Sequence, residues 1–326
     1  MGRLAVVNDT HAIGYEICAW ILNDLGFDVY VAGPSFSTFL PIFYHHGYMQ
    51  QSVRKTPYVR GIMEFKDMPQ DALFVDTMPE TEQRLRGLGW MGPYLIYWLW
   101  PCWPDWVEKN FRPGKGVSVM AFNPAIGRVI REMRLCPVEF LWPPYPQLLN
   151  CSERSSFGPH VVTAIKNAQG WSNVPLLEVL RDHPEAQLQL YGGGPPEWSR
   201  EIPHDQFLEH LRAAKVLFHP KPTDTPGYVV MEAVLLGVPV ILGRDFLRST
   251  EMTMLFKDGE TCFHATTERL DPLLGFIRRL SDPAENRRMG TSARTRLLQL
   301  SNWSENRPRI KRLVDDLVAS GKGENV

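Results

Sequence analysis

The chain has 326 residues, of which 44% are hydrophobic and 22% charged, a globular composition long enough for two domains. Its net charge of −1 excludes the general attraction to nucleic acid that a strongly basic chain has, although it is compatible with a local basic groove. The five cysteines include no C-x-x-C pair, and no apolar run approaches the ~20 residues that span a bilayer. We therefore expect a cytoplasmic protein without a disulfide framework, zinc site or stable membrane insertion.

A strand, a helix and a second strand open the chain. The hydrophobic pattern predicts these elements at Leu4 to Val7, Tyr15 to Leu25 and Asp28 to Ala32. Such a βαβ unit belongs to a parallel sheet, which binds ligands outside the carboxyl ends of its strands. The loop after the first strand supplies Asp9 and His11 as candidate acceptor-side groups, and Asp9 has the alternative role of a turn or capping residue.

An aromatic and basic stretch follows, from Ser35 to Lys66, whose weak periodicity predicts irregular structure. Tyr44 and His45 lie in this stretch and are candidates for stacking on an acceptor ring. The alternative is that these aromatic side chains cover the edge of the sheet.

Two more strands of the first half end in residues that could take part in chemistry. A strand from Ala72 to Val75 ends at Asp76, and a strand from Tyr94 to Trp100 ends in a tryptophan, a candidate for acceptor binding. The tryptophan-rich segment from Tyr94 to Trp106 has two interpretations, a membrane-surface contact or a buried strand with its turn.

The second half repeats the alternation of strands and helices after a proline-rich linker near Trp142 to Pro146. The pattern predicts a strand at Val161 to Ile165, a helix at Val174 to Arg181 and a strand at Gln187 to Tyr191. This last strand runs into three glycines, where a ligand can approach bare backbone.

The stretch from Lys215 to Arg244 is the most informative part of the chain. It predicts a strand, a polar loop, a helix from Tyr228 to Leu236 that is apolar except for Glu232, and a second strand. Gly227 at the helix start permits close approach of a ligand, and a helix start favours phosphate. Carboxylates nearby suit sugar or ribose hydroxyls because an ionised carboxylate only accepts hydrogen bonds. The stretch therefore predicts a sugar-phosphate site.

These residues resemble a signature of the retaining glycosyltransferase family four. Its pattern E-G-F-G-L-x-x-L-E-A-M-A-x-G-x-P-V-I compares with D-T-P-G-Y-V-V-M-E-A-V-L-L-G-V-P-V-I here, with Asp224 in place of the first Glu. The resemblance covers Val161 to Leu317, whereas the first half shares only the architecture. It implies an α/β GT-B fold in which two Rossmann-like domains face a cleft.

The resemblance also implies a division of the chain and a role for each part. Residues 1–150 would bind the acceptor, residues 151–302 the nucleotide sugar, and a helix within 303–320 would cross back to the first domain. Between the second domain's central stretch and that helix we predict a loop beyond Arg244, which contains Glu251.

By the same resemblance, Glu232 would hold the ribose hydroxyls and Asp224 the hydroxyls of the donor sugar. The amides at Gly227 and Tyr228 would hold the phosphates, with lysines or bare backbone as further donor contacts. The remaining donor-side candidates are Lys166, Gly193, Gly194, His204, Lys221 and Val229.

The activity implied is transfer of a sugar from a nucleotide sugar to an acceptor hydroxyl, with a UDP-sugar favoured over a GDP-sugar. No cofactor or metal is expected, since the sequence has no D-x-D motif. The family is retaining, whereas an inverting variant would need a base such as Asp76 or Asp9. A glycan or small molecule is the first acceptor choice, and a hydroxymethylated DNA base, as modified by some phage enzymes, is the second. A nucleotide-sugar epimerase and an inactive binding scaffold remain as alternatives.

Overall fold

The computed structural model describes residues 3–8, 12–33, 35–36, 57–77, 80–98, 104–144, 154, 156–165, 174–192, 199–200, 202–222, 227–266 and 269–320. The chain divides into two compact units. Residues 1–146 and 302–326 form the first unit, and residues 147–301 form the second.

The first unit contains a parallel sheet. Its strands are β1 Arg3–Val7, β2 Phe27–Ala32, β3 Gly61–Met63, β4 Leu73–Asp76, β5 Tyr94–Trp98, β6 Val117–Ala121 and β7 Val138–Phe140. They are ordered β3-β2-β1-β4-β5-β6-β7. Its helices are α1 Ala12–Asp24, α2 Glu80–Gly87, α3 Pro104–Asn110 and α4 Pro124–Glu132, with a later helix described below.

The second unit contains another parallel sheet. Its strands are β8 Val161–Ile165, β9 Gln189–Gly192, β10 Ser199–Arg200, β11 Val216–His219, β12 Val240–Gly243 and β13 Phe263–Ala265. They are ordered β10-β9-β8-β11-β12-β13. Its helices are α5 Val174–Arg181, α6 His204–Ala213, α7 Tyr228–Leu235, α8 Arg244–Thr250, α9 Leu270–Arg279 and α10 Pro283–Leu300.

The central strands are buried along their whole length, which explains their continuous apolar sequences. All residues of β5, β6, β11 and β12 are buried. Helices that cover both faces of a parallel sheet produce this pattern, in contrast to the alternation of a half-exposed strand. The predicted α/β class with two Rossmann-like domains is confirmed.

Each sheet has a point where the strand order reverses. In the first unit this point lies between β1 and β4, where the N–H of Asn8 donates to the carbonyl of Val75 at 2.8 Å. In the second unit it lies between β8 and β11. Loops that leave neighbouring strands in opposite directions open a crevice at such a point, and ligands bind there at the carboxyl ends of the strands.

Helix α11, Trp303–Ser320, belongs to the first unit although it follows the second unit in sequence. Its buried face includes Ile310 and Leu317, and its contacts are with β5, β6 and β7. Asp24 at the end of α1 accepts hydrogen bonds from Trp303 Nε1 at 2.9 Å and Arg307 Nε at 2.7 Å. The arginine was expected on a solvated face, and it lies in an ion pair instead.

Three expectations about local structure need correction. The residues after Arg244 form α8, not a loop, because Phe246 and Leu247 are buried and pull the segment into a helix. The stretch thought irregular includes β3, a short edge strand on β2. The tryptophan-rich segment is a buried strand over its described part, since Trp98 is 0% exposed, so a membrane contact of β5 is excluded.

Candidate functional site

The central stretch of the second unit folds as β11, α7 and β12, with β11 and β12 as parallel neighbours. Seven of the eight residues of α7 are buried, and they are apolar apart from the carboxyl group of Glu232 and the hydroxyl of Tyr228. An uninterrupted apolar helix between two buried strands is packed on all sides. A carboxylate inside such a helix is costly unless it has a partner, and it therefore points to a function.

Gly227 begins α7 in a conformation that only glycine adopts without strain. Its φ is 70°, and an added Cβ would lie 3.3 Å from Cγ2 of Val230 and 3.5 Å from Cε2 of Phe246. Its carbonyl accepts from the amides of Val230 and Met231, which starts the helix. The glycine thus lets the chain turn tightly into α7 and leaves its backbone accessible to a ligand.

Glu232 has its partner on another helix. Its side chain is 3% exposed, and Oε1 lies 2.8 Å from Nε2 of His204, the first residue of α6. The histidine side chain is 45% exposed, so the pair connects a buried carboxylate to the surface. This contact brings together two residues that are 28 positions apart and that the sequence suggested only separately.

Aromatic packing holds the start of α6 in place. The His204 ring stacks on Phe207 with centroids 6.4 Å apart, and Phe207 packs against Tyr191 at 5.3 Å. Tyr191 lies near the end of β9, and burial is the main cause of the rise in the pKa of its hydroxyl. The end of β9 and the start of α6 thus form one aromatic wall near Glu232.

The end of β11 adds a histidine that sequence analysis treated as a loop residue. His219 is fully buried, and its ring meets Phe246 edge-on with centroids 5.2 Å apart. Lys221 follows and is half-buried, while Ser249 Oγ donates to the carbonyl of Pro222 at 3.1 Å. The signal available in the sequence was a polar residue directly after a buried strand, which marks a carboxyl end.

The first unit carries polar groups at its own strand ends. Asp76 is 1% exposed; its Oδ1 accepts from the Thr77 amide at 2.6 Å and its Oδ2 from the Tyr94 hydroxyl at 3.4 Å. Burial, and next the nearby Asp76 charge, raise the pKa of Tyr94 well above its usual range. Asn8 lies beside this carboxylate and was not singled out by the sequence analysis.

The predicted site residues thus fall into separate groups. Gly227, Tyr228, Val229 and Glu232 lie on one helix, and His204 joins them through its contact. Lys221 lies after β11, in the same unit. Nine other candidates lie outside the described residues: Asp9, His11, Tyr44, His45, Trp100, Lys166, Gly193, Gly194 and Asp224.

Two negative findings apply to the described part of the chain. It contains no group of three or more His, Cys, Asp or Glu side chains placed to hold a metal ion. None of its helices is both long enough and apolar enough to cross a membrane.

The two parallel-sheet units define the class of the fold, which is that of the GT-B glycosyltransferases. Within the chain, residues 173–313 match a family model described as "Glycosyl transferase-like". This matched region contains both Glu232 and His204.

Particular solved structures match the chain along nearly its whole length. HepE from Anabaena, solved with UDP-glucose, has a TM-score of 0.68 and 13% identity, with 97% of this chain and 100% of that chain covered. Sucrose-phosphate synthase from Thermosynechococcus elongatus has a TM-score of 0.63 and 15% identity, with 98% and 100% covered. A glycosyltransferase from Rickettsia africae has a TM-score of 0.61 and 9% identity, with 99% of each chain covered. No curated protein sequence matches this chain.

Proposed function

We propose that this protein is a glycosyltransferase that moves a sugar from a nucleotide sugar to an acceptor hydroxyl, with a UDP-sugar as the favoured donor. The observation that carries the proposal is the buried carboxylate of Glu232, held by His204 on an otherwise apolar helix at the carboxyl end of a parallel sheet. The match of residues 173–313 to a glycosyl transferase-like model supports it. HepE, which has the same fold, was solved with UDP-glucose, and this supports the choice of nucleotide.

The groups around α7 suit the parts of such a donor. Glu232 would accept hydrogen bonds from the ribose hydroxyls, since a carboxylate only accepts and a diol can donate twice. The amides at the start of α7, beside Gly227, would hold the phosphates, where the helix dipole favours negative charge. Lys221 would add a positive charge as the diphosphate leaves. Asp224 would contact the donor sugar, as in family four, to which we assign the chain by its resemblance.

We infer that the reaction retains the configuration of the sugar. In that case the leaving phosphate takes the acceptor proton and the protein needs no separate base. The position of Asp76 supports this inference, because both of its carboxylate oxygens already accept hydrogen bonds from its own unit. A base must be free to accept a proton from the substrate.

We assign acceptor binding to the first unit and propose a glycan or a small molecule as the acceptor. The net charge of −1 is the reason to rank DNA below these, since phosphate contacts supply much of the affinity for a duplex. TarM of S. aureus, solved with UDP and α-GlcNAc-glycerol, has the same fold, with a TM-score of 0.58.

Thermal unfolding with nucleotides tests the donor site directly. We expect UDP and UDP-glucose to raise the Tm, because a ligand at one hundred times its Kd stabilises the folded state by about 2.7 kcal/mol. For a protein of this size that corresponds to a shift of several degrees. We expect the shift to disappear in Glu232→Ala, whose ribose acceptor is gone.

The matched control for this experiment is Glu209→Ala, an exposed glutamate on α6 that should keep the full shift. GDP and ADP, tested in parallel, distinguish between nucleotides. If none of these compounds shifted the Tm of the wild-type protein, the nucleotide-sugar proposal would be wrong and an inactive scaffold would be favoured.

A further inference from the structure

The contact between His204 and Glu232 has a direction that follows from its chemistry. An ionised carboxylate offers only acceptors, so Nε2 of the imidazole, 2.8 Å from Oε1, must carry the proton and donate it. The donor is neutral or charged according to pH, but the direction of the bond is the same in both cases. His204 therefore acts on the state of Glu232 before any ligand arrives.

Glu232 needs such a donor to present a fixed, charged acceptor. Its neighbours on α7 are apolar and buried, and an apolar environment favours the neutral form of a carboxyl group. A hydrogen bond to the ionised form opposes that effect and fixes the rotamer of the side chain. With Oε1 engaged by His204, Oε2 remains to accept from one ribose hydroxyl, and the second lone pair of Oε1 remains for the other.

His204 is well placed to act as a fixed donor rather than as a flexible ligand. It is the first residue of α6 and follows Pro203, whose φ of −54° is the one that its ring imposes. Its ring stacks on Phe207, which packs on Tyr191 at the neighbouring strand end. A side chain held on a helix and by a ring contact keeps its direction when the ligand enters.

We propose that His204 is a positioning residue that acts through Glu232 and makes the site selective for ribose over 2′-deoxyribose. This proposal rests on the proposed function, because it assumes that Glu232 binds the ribose. It changes the role first suggested for His204, a contact along the nucleobase, into an indirect one. The carboxylate, set by the imidazole, distinguishes the two sugars by one hydroxyl group.

Isothermal titration of the full-length protein with UDP and with 2′-deoxy-UDP tests the proposal. We expect the wild-type protein to bind UDP at least 10-fold more tightly than 2′-deoxy-UDP. In His204→Ala we expect UDP affinity to fall by about 10-fold or more, as for loss of a hydrogen bond to a charged group. The preference for ribose should shrink to less than 3-fold, because 2′-deoxy-UDP loses less.

Two further variants separate positioning from a merely structural role. His204→Gln keeps an N–H near the Nε2 position, and we expect it to restore UDP affinity and the ribose preference to within about 3-fold of wild type. When Glu232 is already replaced by Ala, the additional change His204→Ala should have no further effect on UDP binding. Glu209→Ala on the same helix should behave as wild type.

The outcomes keep this inference apart from the proposed function. UDP binding that His204→Ala leaves unchanged in both strength and ribose preference would overturn the role of His204 while the donor site stands. An undiminished His204→Ala effect in the Glu232→Ala background would mean direct contact with the nucleotide, and would also overturn it. Absence of UDP binding to the wild-type protein would overturn the donor site itself, and the inference with it.

Discussion

Asn8, at the end of β1, has a buried amide group that finds no hydrogen-bond partner among the described residues for either Oδ1 or Nδ2. Its side chain is 2% exposed and lines a narrow cavity of about 190 Å³ together with Tyr15, Asp76 and Tyr97. The cavity has no room for a free water molecule, so water does not satisfy the amide. An unsatisfied buried polar group costs roughly 1–3 kcal/mol of stability.

We therefore predict that Asn8→Leu stabilises the protein, by about 1 kcal/mol or more. Leucine has the same number of side-chain heavy atoms and removes both unsatisfied groups, while the cavity accepts its larger methyl groups. Unfolding in urea measures the change.

The matched control is Asn123→Ala. Asn123 follows β6 as Asn8 follows β1, but its Oδ1 caps α4 by accepting from the amides of Ala125 at 2.9 Å and Ile126 at 3.4 Å. Loss of this cap should destabilise by about 1 kcal/mol. If Asn8→Leu instead lowered the stability as Asn123→Ala does, Asn8 would have a structural partner after all.

Asp76 allows a test of the stereochemical proposal at a single residue. In Asp76→Asn, the amide oxygen can still accept from Thr77, so the local structure should persist. We predict that the release of UDP from UDP-glucose stays within about 3-fold of wild type, since a retaining reaction needs no base there. Loss of a general base would lower the rate by about 10²–10⁴-fold, which would contradict the retaining proposal.

The exposed Asp71, just before β4, supplies the control variant Asp71→Asn. It changes the same charge in the same unit, away from the strand end. Both variants should release UDP alike if Asp76 has no part in proton transfer.

At the scale of elements, two helices of the second unit touch through glycines. A Cβ added to Gly290 of α10 would lie 2.1 Å from the carbonyl oxygen of Gly237, the residue that closes α7. That oxygen belongs to the backbone, so it cannot move aside as a flexible side chain can. The close approach of α10 fixes the end of the helix that carries Glu232.

We predict that Gly290→Ala destabilises the second unit by several kcal/mol and weakens UDP binding, because α10 must move away from α7. Gly275→Ala in α9 is the control, since an added Cβ there meets no atom within 4 Å. It should stabilise the protein by about 0.5–1 kcal/mol through the helix preference for alanine. Urea unfolding and UDP titration check both variants, and equal behaviour of the two would contradict the contact.

The same elements explain what could be predicted from sequence. Helix α7 was expected at Tyr228 to Leu236 and ends at Leu235, because glycines bound it on both sides. Glu232 stood out because every neighbour on that helix is apolar. These signals are local, and local signals survive folding when they agree with the tertiary structure.

What could not be predicted depends on contacts between distant residues. His204 and Glu232 are 28 positions apart, and their meeting depends on how α6 packs beside α7. Helix α8 has seven residues and no side-chain cap, so its stability comes from the burial of Phe246 rather than from its own sequence. Strand β3 has only three residues at the sheet edge, too few to give a period.

At the scale of the whole molecule, the first half was the harder to predict. Its strands were found from their apolar runs, but the candidate acceptor residues lie outside the described residues. Asp76 and Asn8 are the described polar groups at its point of strand reversal. The second half has a sequence signature and a matching family model, so its site was predicted with more detail.

The return of α11 to the first unit has a consequence for biosynthesis. The ribosome delivers all of the first sheet, then the entire second unit, and only afterwards the helix that buries Ile310 and Leu317 against β5, β6 and β7. The nascent first unit must therefore wait with an uncovered apolar face while about 155 residues are translated, roughly 10–30 s at ordinary elongation rates. The second unit is contiguous in sequence and can complete its fold during that interval.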